Sequence, residues 1–145
     1  MKPKVLIVDD ELEFVQLLEY HFSRQGFESF TATNGMEALH QARRILPDVI
    51  VLDLMLPDLD GFSVYEILRL QPSTARTPVI VVSALSGPSA RGRSIELGVR
   101  HFFRKPVDLE ALGSSVRDLF GEQQELIRAQ TAETDRDVSS ESARY

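Results

Sequence analysis

The chain has 145 residues, 43% hydrophobic and 26% charged, with a formal net charge of -6 and no cysteine. That profile fits one soluble globular domain with a full core, and it excludes disulfides, thiolate metal sites and a cysteine nucleophile. No Lys/Arg-rich block offsets the acidic balance, so direct nucleic-acid binding is not expected, and no apolar stretch approaches the roughly eighteen residues of a membrane span.

The amino terminus Met1-Lys2-Pro3-Lys4 is basic, but the apolar run behind it, Val5 to Val8, is about half the length a signal peptide needs. A cytoplasmic protein is expected. Lys4 to Asp9 (KVLIVD) reads as a buried strand ending in Asp9-Asp10-Glu11. Leu12, Val15, Leu18 and Phe22 then recur at helical spacing over 12 to 25, and Gly26 is placed as a C-terminal cap. Phe27 to Ala32 alternates apolar and polar residues, as a strand near a sheet edge does. Asn34-Gly35 makes a turn, Ala38, Leu39, Ala42 and Ile45 mark a second helix, and Pro47 ends it.

Val49 to Leu54 is apolar at five positions of six, interrupted only by Asp53, and the run Pro57-Asp58-Leu59-Asp60-Gly61 follows. A short apolar run bounded by turn residues reads as a strand buried on both faces. Phe62, Val64, Tyr65, Ile67 and Leu68 carry a third helix that Pro72 closes, and Pro78 to Ser83 is a fourth strand. Residues 85 to 93, rich in Ser, Gly and Arg, give the weakest periodicity, and a short fourth helix is expected over 88 to 97. Arg100 to Arg104 forms a fifth strand. Leu109, Leu112, Val116, Leu119 and Phe120 define a fifth helix with Asp108 as its N-cap.

Five strands alternating with five helices at crossover lengths predict a doubly wound parallel sheet of order 2-1-3-4-5, flavodoxin-like. Residues 1–120 form this domain. Beyond Gly121 Glu, Gln, Thr, Ser and Arg dominate, with six acidic and three basic residues. The expectation for 121–145 is a helix that overruns the domain by a turn or two and then frays into a polar, disordered tail or linker.

The informative polar residues fall at the carboxyl ends of strands: Asp9 and Asp10 after the first, Asp53 after the third, Ser83 after the fourth, Lys105 after the fifth. In this topology the first and third strands are neighbours at the switch point, where open α/β sheets bind ligands. Three converging carboxylates repel one another without a cation, and a hard, oxygen-seeking ion such as Mg²⁺ suits them. An aspartate beside Mg²⁺, a lysine and a hydroxyl is equipped to attack phosphorus and hold the resulting acyl phosphate.

Residues 3 to 120 resemble the receiver domain of a two-component response regulator. The resemblance rests on VLIVDDE at 5 to 11, VLDLMLPDLDG at 51 to 61, VIVVSA at 79 to 84 and FRKP at 103 to 106. It implies a phosphorylation-controlled switch rather than an enzyme, with Asp53 as phosphoacceptor. Asp9, Asp10, Asp53 and the backbone carbonyl of Met55 would be the Mg²⁺ ligands, and Lys105 the phosphoryl-binding lysine. Ser83 would be the hydroxyl switch residue and Phe102 the aromatic that changes rotamer on activation. The implied phosphoryl donor is a sensor histidine kinase or a histidine phosphotransfer protein, and the surface of the fourth helix, fifth strand and fifth helix would change on phosphorylation. A phosphorylation-dependent homodimer is compatible with this, as is either a stand-alone regulator or one segment of a longer protein. Ser83 stands where threonine is commoner, Phe102 where tyrosine is, and Val99-Arg100-His101 where a small, acidic run is. These departures bear on partner choice more than on phosphorylation.

His21, His40 and His101 read as surface or half-buried residues, and the strand-rich pattern argues against a phosphate-accepting histidine. Arg91, Arg93, Arg100 and Arg104 form either a solvated face or a partner-binding surface. The competing functional class is a small Mg²⁺-dependent hydrolase with an aspartyl-phosphate intermediate. Such enzymes resemble D-x-D at the nucleophile strand, whereas the residue two beyond Asp53 is Met55, which cannot act as a general acid.

Overall fold

The computed structural model describes residues 2–85 and 87–142, with side chains described to 134. Its elements run β1 (Lys4–Val8), α1 (Leu12–Arg24), β2 (Glu28–Ala32), α2 (Gly35–Ile45), β3 (Val49–Leu52), α3 (Gly61–Leu70), β4 (Val79–Ser83), α4 (Pro88–Glu96), β5 (His101–Arg104) and α5 (Leu109–Ser142). The five strands pair in parallel in the order β2-β1-β3-β4-β5, the order read from the sequence.

Alternation along the strands divides the core into two layers. Leu6, Val8, Ile50, Leu52, Val79 and Val81 pack under α2 and α3 with Leu39, Val64 and Leu68. Val5, Ile7, Val49, Val51, Ile80 and Val82 pack under α1 and α5 with Leu18, Phe22, Leu112 and Val116. β1, β3 and β4 are covered on both faces, which is why they are continuous apolar runs. β2 lies at an edge and is only partly covered, as its alternation predicts.

Local signals place most boundaries. Gly26 takes a positive φ of 90° just past α1, a conformation that favours glycine. Asp108 Oδ1 accepts from the Glu110 and Ala111 N–H groups and caps α5. The α5 helix itself is longer than the periodicity predicts, running unbroken past Gly121 to Ser142. Residues 122–134 contain no Pro or Gly and are rich in Glu, Gln, Ala and Arg, strong helix formers that need no apolar stripe to stay helical. The end of the expected tail, 143–145, lies outside the described residues. Among the described residues no helix is long and apolar enough to cross a membrane.

Candidate functional site

Parallel pairing fixes where the acids meet. Val8 lies opposite Leu52, so Asp9 and Asp53 leave adjacent strands side by side, and the Asp53 N–H still donates to the Val8 carbonyl at 2.9 Å. Asp10 follows on the link to α1. One carboxylate oxygen from each of Asp9, Asp10 and Asp53 lies within 4.8 Å of the others. Asp9 and Asp53 are buried at 2% and 3% exposure, and Asp10 faces solvent.

Lys105 reaches this cluster from the end of β5. Its backbone N–H donates to the Ser83 carbonyl at 3.0 Å, continuing the β4–β5 ladder by one residue. Its Nζ donates to Asp9 Oδ2 at 2.7 Å and to Glu11 Oε1 at 3.2 Å, and lies 3.5 Å from Asp53 Oδ2. The Phe14 ring sits under it, 4.5 Å from ammonium to ring centre, a cation–π contact that helps fix the side chain. These three are the only ion pairs among the described residues.

Burial raises the Asp9 carboxyl above its ordinary value. The hydrogen bond from Lys105 pulls it down but does not win, and the Asp53 charge adds to the rise. For Lys105 burial acts alone in the lowering direction, and the Asp9 hydrogen bond with the charges of Asp53 and Asp9 raises it overall. The two directions describe one anionic hollow with more negative charge than a single ammonium neutralises.

The other candidates take distinct places. Ser83 is fully buried, and its Oγ accepts from the Leu85 N–H at 3.2 Å. The Met55 N–H donates to Asp53 Oδ1 at 3.2 Å, while its side chain is 53% exposed. Phe102 stands at the surface, 36% exposed, against a cleft of about 470 Å³ lined also by Leu85, Pro88, Ala90, Arg91 and Arg104. His21 and His101 are half-buried and His40 is exposed, none of them in the acidic cluster.

Gly61 closes the segment behind Asp53. Its N–H donates to the Leu54 carbonyl at 2.8 Å, and a Cβ there would land on the Asp53 carbonyl oxygen and the Leu54 Cα. The sequence motif marks Gly61 only as a turn. Sequence pattern marks none of Glu11, Phe14 and Asp58 as site residues. Adjacency to Asp9-Asp10 places Glu11 near the site without naming its partner; nothing local marks Phe14 as a partner of a lysine 91 positions later.

A flavodoxin-like α/β protein with an acidic, lysine-bearing hollow at its topological switch point is the class that fold and site define. A family model described as response regulator receiver domain matches residues 5–117, and the chain belongs to that family. Response regulator PleD of Caulobacter vibrioides is 40% identical over 119 residues, 82% of this chain and 26% of PleD. The alkaline phosphatase synthesis transcriptional regulatory protein PhoP of Bacillus subtilis is 38% identical over 117 residues, 81% of this chain and 48% of PhoP. The chain thus spans less than half the length of these curated relatives. Among solved structures, the receiver domain of Francisella response regulator 1452 has a TM-score of 0.78 at 34% identity, covering 84% of this chain and 99% of that one.

Receiver domains of response regulators act in two-component signalling, generally as switches. They generally bind Mg²⁺ at an acidic pocket, and their partners are typically histidine kinases. The donor set here fits such an ion: three hard carboxylate oxygens in one hollow, one of them on a buried acid that a second positive charge would relieve.

Proposed function

We propose that this chain is a phosphorylation-controlled switch in which Asp53 accepts a phosphoryl group from a phosphohistidine. The observation that carries the reading is the meeting of Asp9, Asp10 and Asp53 within 4.8 Å, with the Lys105 ammonium 3.5 Å from Asp53. Asp9, Asp10, Asp53 and the Met55 carbonyl would hold Mg²⁺. When bound, the ion offsets the repulsion between the carboxylates and the incoming phosphoryl oxygens.

An Asp53 carboxylate oxygen attacks phosphorus, and the P–N bond of the donor breaks with its electron pair returning to the imidazole nitrogen. The product is an acyl phosphate on Asp53. Lys105, held between Asp9 and Asp53, pairs with a phosphoryl oxygen. The Ser83 hydroxyl, now an acceptor for Leu85, turns to donate to another. Phe102 then leaves the surface, which reshapes the face made by α4, β5 and α5. Residues 1–120 carry this chemistry, and 121–145 are the extension, helical as far as Ser142, that links it to whatever receives the signal. The donor is a sensor histidine kinase or a histidine phosphotransfer protein.

The test is incubation with Mg²⁺ and acetyl phosphate followed by intact-mass measurement. The expected result is a single phosphoryl adduct that is absent from Asp53→Ala. No adduct on the native chain, or one that persists in the variant, overturns the reading.

A further inference from the structure

The loop between β3 and α3 surrounds Asp53, and three contacts hold it. Two are internal: Met55 N–H to Asp53 Oδ1, and Gly61 N–H to the Leu54 carbonyl. The third leaves the loop. Asp58 Oδ1 accepts from the Gly35 N–H at 2.6 Å and Oδ2 from the Met36 N–H at 2.9 Å. Gly35 and Met36 are the first two residues of α2.

That helix already has a local cap, because Asn34 Oδ1 accepts from the Glu37 N–H at 2.8 Å. The first three N–H groups of α2 are therefore all satisfied, two of them by a carboxylate from the loop that carries the site. These bonds hold the Asp58 carboxyl below the usual carboxylate range, so they are charge-assisted and stronger than neutral ones. The backbones also approach closely. A Cβ on Gly35 would lie 2.7 Å from Leu59 Cβ, 3.0 Å from Val64 Cγ2 and 3.3 Å from Asp58 Oδ1. A local cap fixes a helix end; a remote one fixes the helix to the loop.

We propose that Asp58 is a positioning residue: by clamping the first turn of α2 it holds the β3–α3 loop, and with it Met55 and Asp53, in the geometry that accepts a phosphoryl group. This rests on the phosphoacceptor reading above. Asp58 lies three residues from Met55 and five from Asp53, so a released loop loosens the Met55–Asp53 bond directly. Misplacement of an attacking group by about 1 Å costs rate steeply.

The experiment compares Asp58→Ala, Asp58→Asn, Gly35→Ala and Asn34→Ala with the native chain. The readouts are adduct formation from acetyl phosphate with Mg²⁺, amide exchange over residues 54–60, and Tm. Asp58→Ala should slow phosphorylation roughly tenfold and speed loop exchange. Asp58→Asn keeps one acceptor and should recover part of the rate, and it carries the test if the alanine variant does not fold. Gly35→Ala, which pushes the loop off from the helix side, should behave like Asp58→Ala. Asn34→Ala removes the local cap and should lower Tm while leaving the phosphorylation rate unchanged. Native-like rate and loop exchange in Asp58→Ala overturn the proposal, as does Asn34→Ala slowing phosphorylation equally. If the native chain accepts no phosphoryl group, the phosphoacceptor reading falls, and loop exchange alone then supports or overturns the clamp.

Discussion

Lys105 Nζ donates to Asp9 Oδ2 across 2.7 Å, joining residues 96 positions apart, and the same ammonium lies 3.5 Å from Asp53 Oδ2. Lys105 is 12% exposed and Asp9 2%, so the pair is largely withdrawn from water and its loss leaves a buried carboxylate without a counter-ion. Asp9 can escape part of that cost by protonating, since burial already raises its carboxyl. Lys105→Ala should therefore destabilise the apo protein by about 1–3 kcal/mol, below the full cost of breaking a buried pair. The same substitution removes a positive charge from the hollow, so Mg²⁺ should bind more tightly, whereas Asp9→Asn should weaken it. Calorimetric titration of both variants checks the opposite signs; a loss of Mg²⁺ affinity in Lys105→Ala would contradict them.

The pH dependence follows from the two shifts. Asp9 binds its proton more tightly folded than unfolded, so stability falls as pH rises from the ordinary carboxylate range through the raised Asp9 value. Lys105 is also raised, and its contribution is complete below its unfolded value and is lost as pH climbs through the folded one, above about 10. Mg²⁺ held by Asp9 should reverse that balance by favouring the ionised form. At a hundredfold excess over Kd it should stabilise the fold by about 2.7 kcal/mol near neutral pH. That gain should shrink towards pH 4 as protons compete for Asp9. Thermal melts with and without Mg²⁺ at several pH values measure it, and a pH-independent gain would show that Asp9 is not a ligand.

Gly61→Ala places a methyl on the Asp53 carbonyl oxygen and the Leu54 Cα. Both are backbone atoms of the site segment, so neither can swing aside as a side-chain tip would. A cost of about 1–3 kcal/mol is expected, as for other overpacked sites. Phosphorylation should slow as well, because relief moves Asp53 itself. Denaturant unfolding and adduct formation test the two effects; a variant with native stability would show that the segment yields freely.

The sheet was legible because β1, β3 and β4 are covered on both faces and so are apolar along nearly their whole length. The placing of Asp9, Asp53, Ser83 and Lys105 followed from the same fact, since each ends or directly follows a strand. α4 read weakly for a physical reason: its one buried residue is Ser94, whose hydroxyl donates to the Ala90 carbonyl, so it carries no apolar stripe. From 121 to 134 the extension of α5 is exposed over most of its circumference, and propensity rather than periodicity makes it helical. Asp58 and Glu11 were invisible as partners because their bonds, to Gly35 and Lys105, span 23 and 94 residues. Alternation and spacing describe one element at a time, and these contacts exist only once elements have met.

A phosphoryl group on Asp53 should be long-lived. Hydrolysis requires a water held in line with phosphorus, and in the phosphoacceptor reading the residues two beyond Asp53 and Ser83 would flank it. They are Met55, 53% exposed, and Leu85, half-buried against the α2–α3 side of the core. Neither side chain has an O–H or N–H group to orient water, so the adduct should decay over minutes to hours rather than seconds. Met55→Asn introduces a donor and an acceptor at the more exposed of the two positions and should shorten the lifetime by roughly tenfold, the modest end of what a positioned polar group contributes. Decay of the adduct by mass spectrometry, after removal of acetyl phosphate, gives both lifetimes. A half-life of seconds in the native chain would mean that water is aligned by something other than these two side chains.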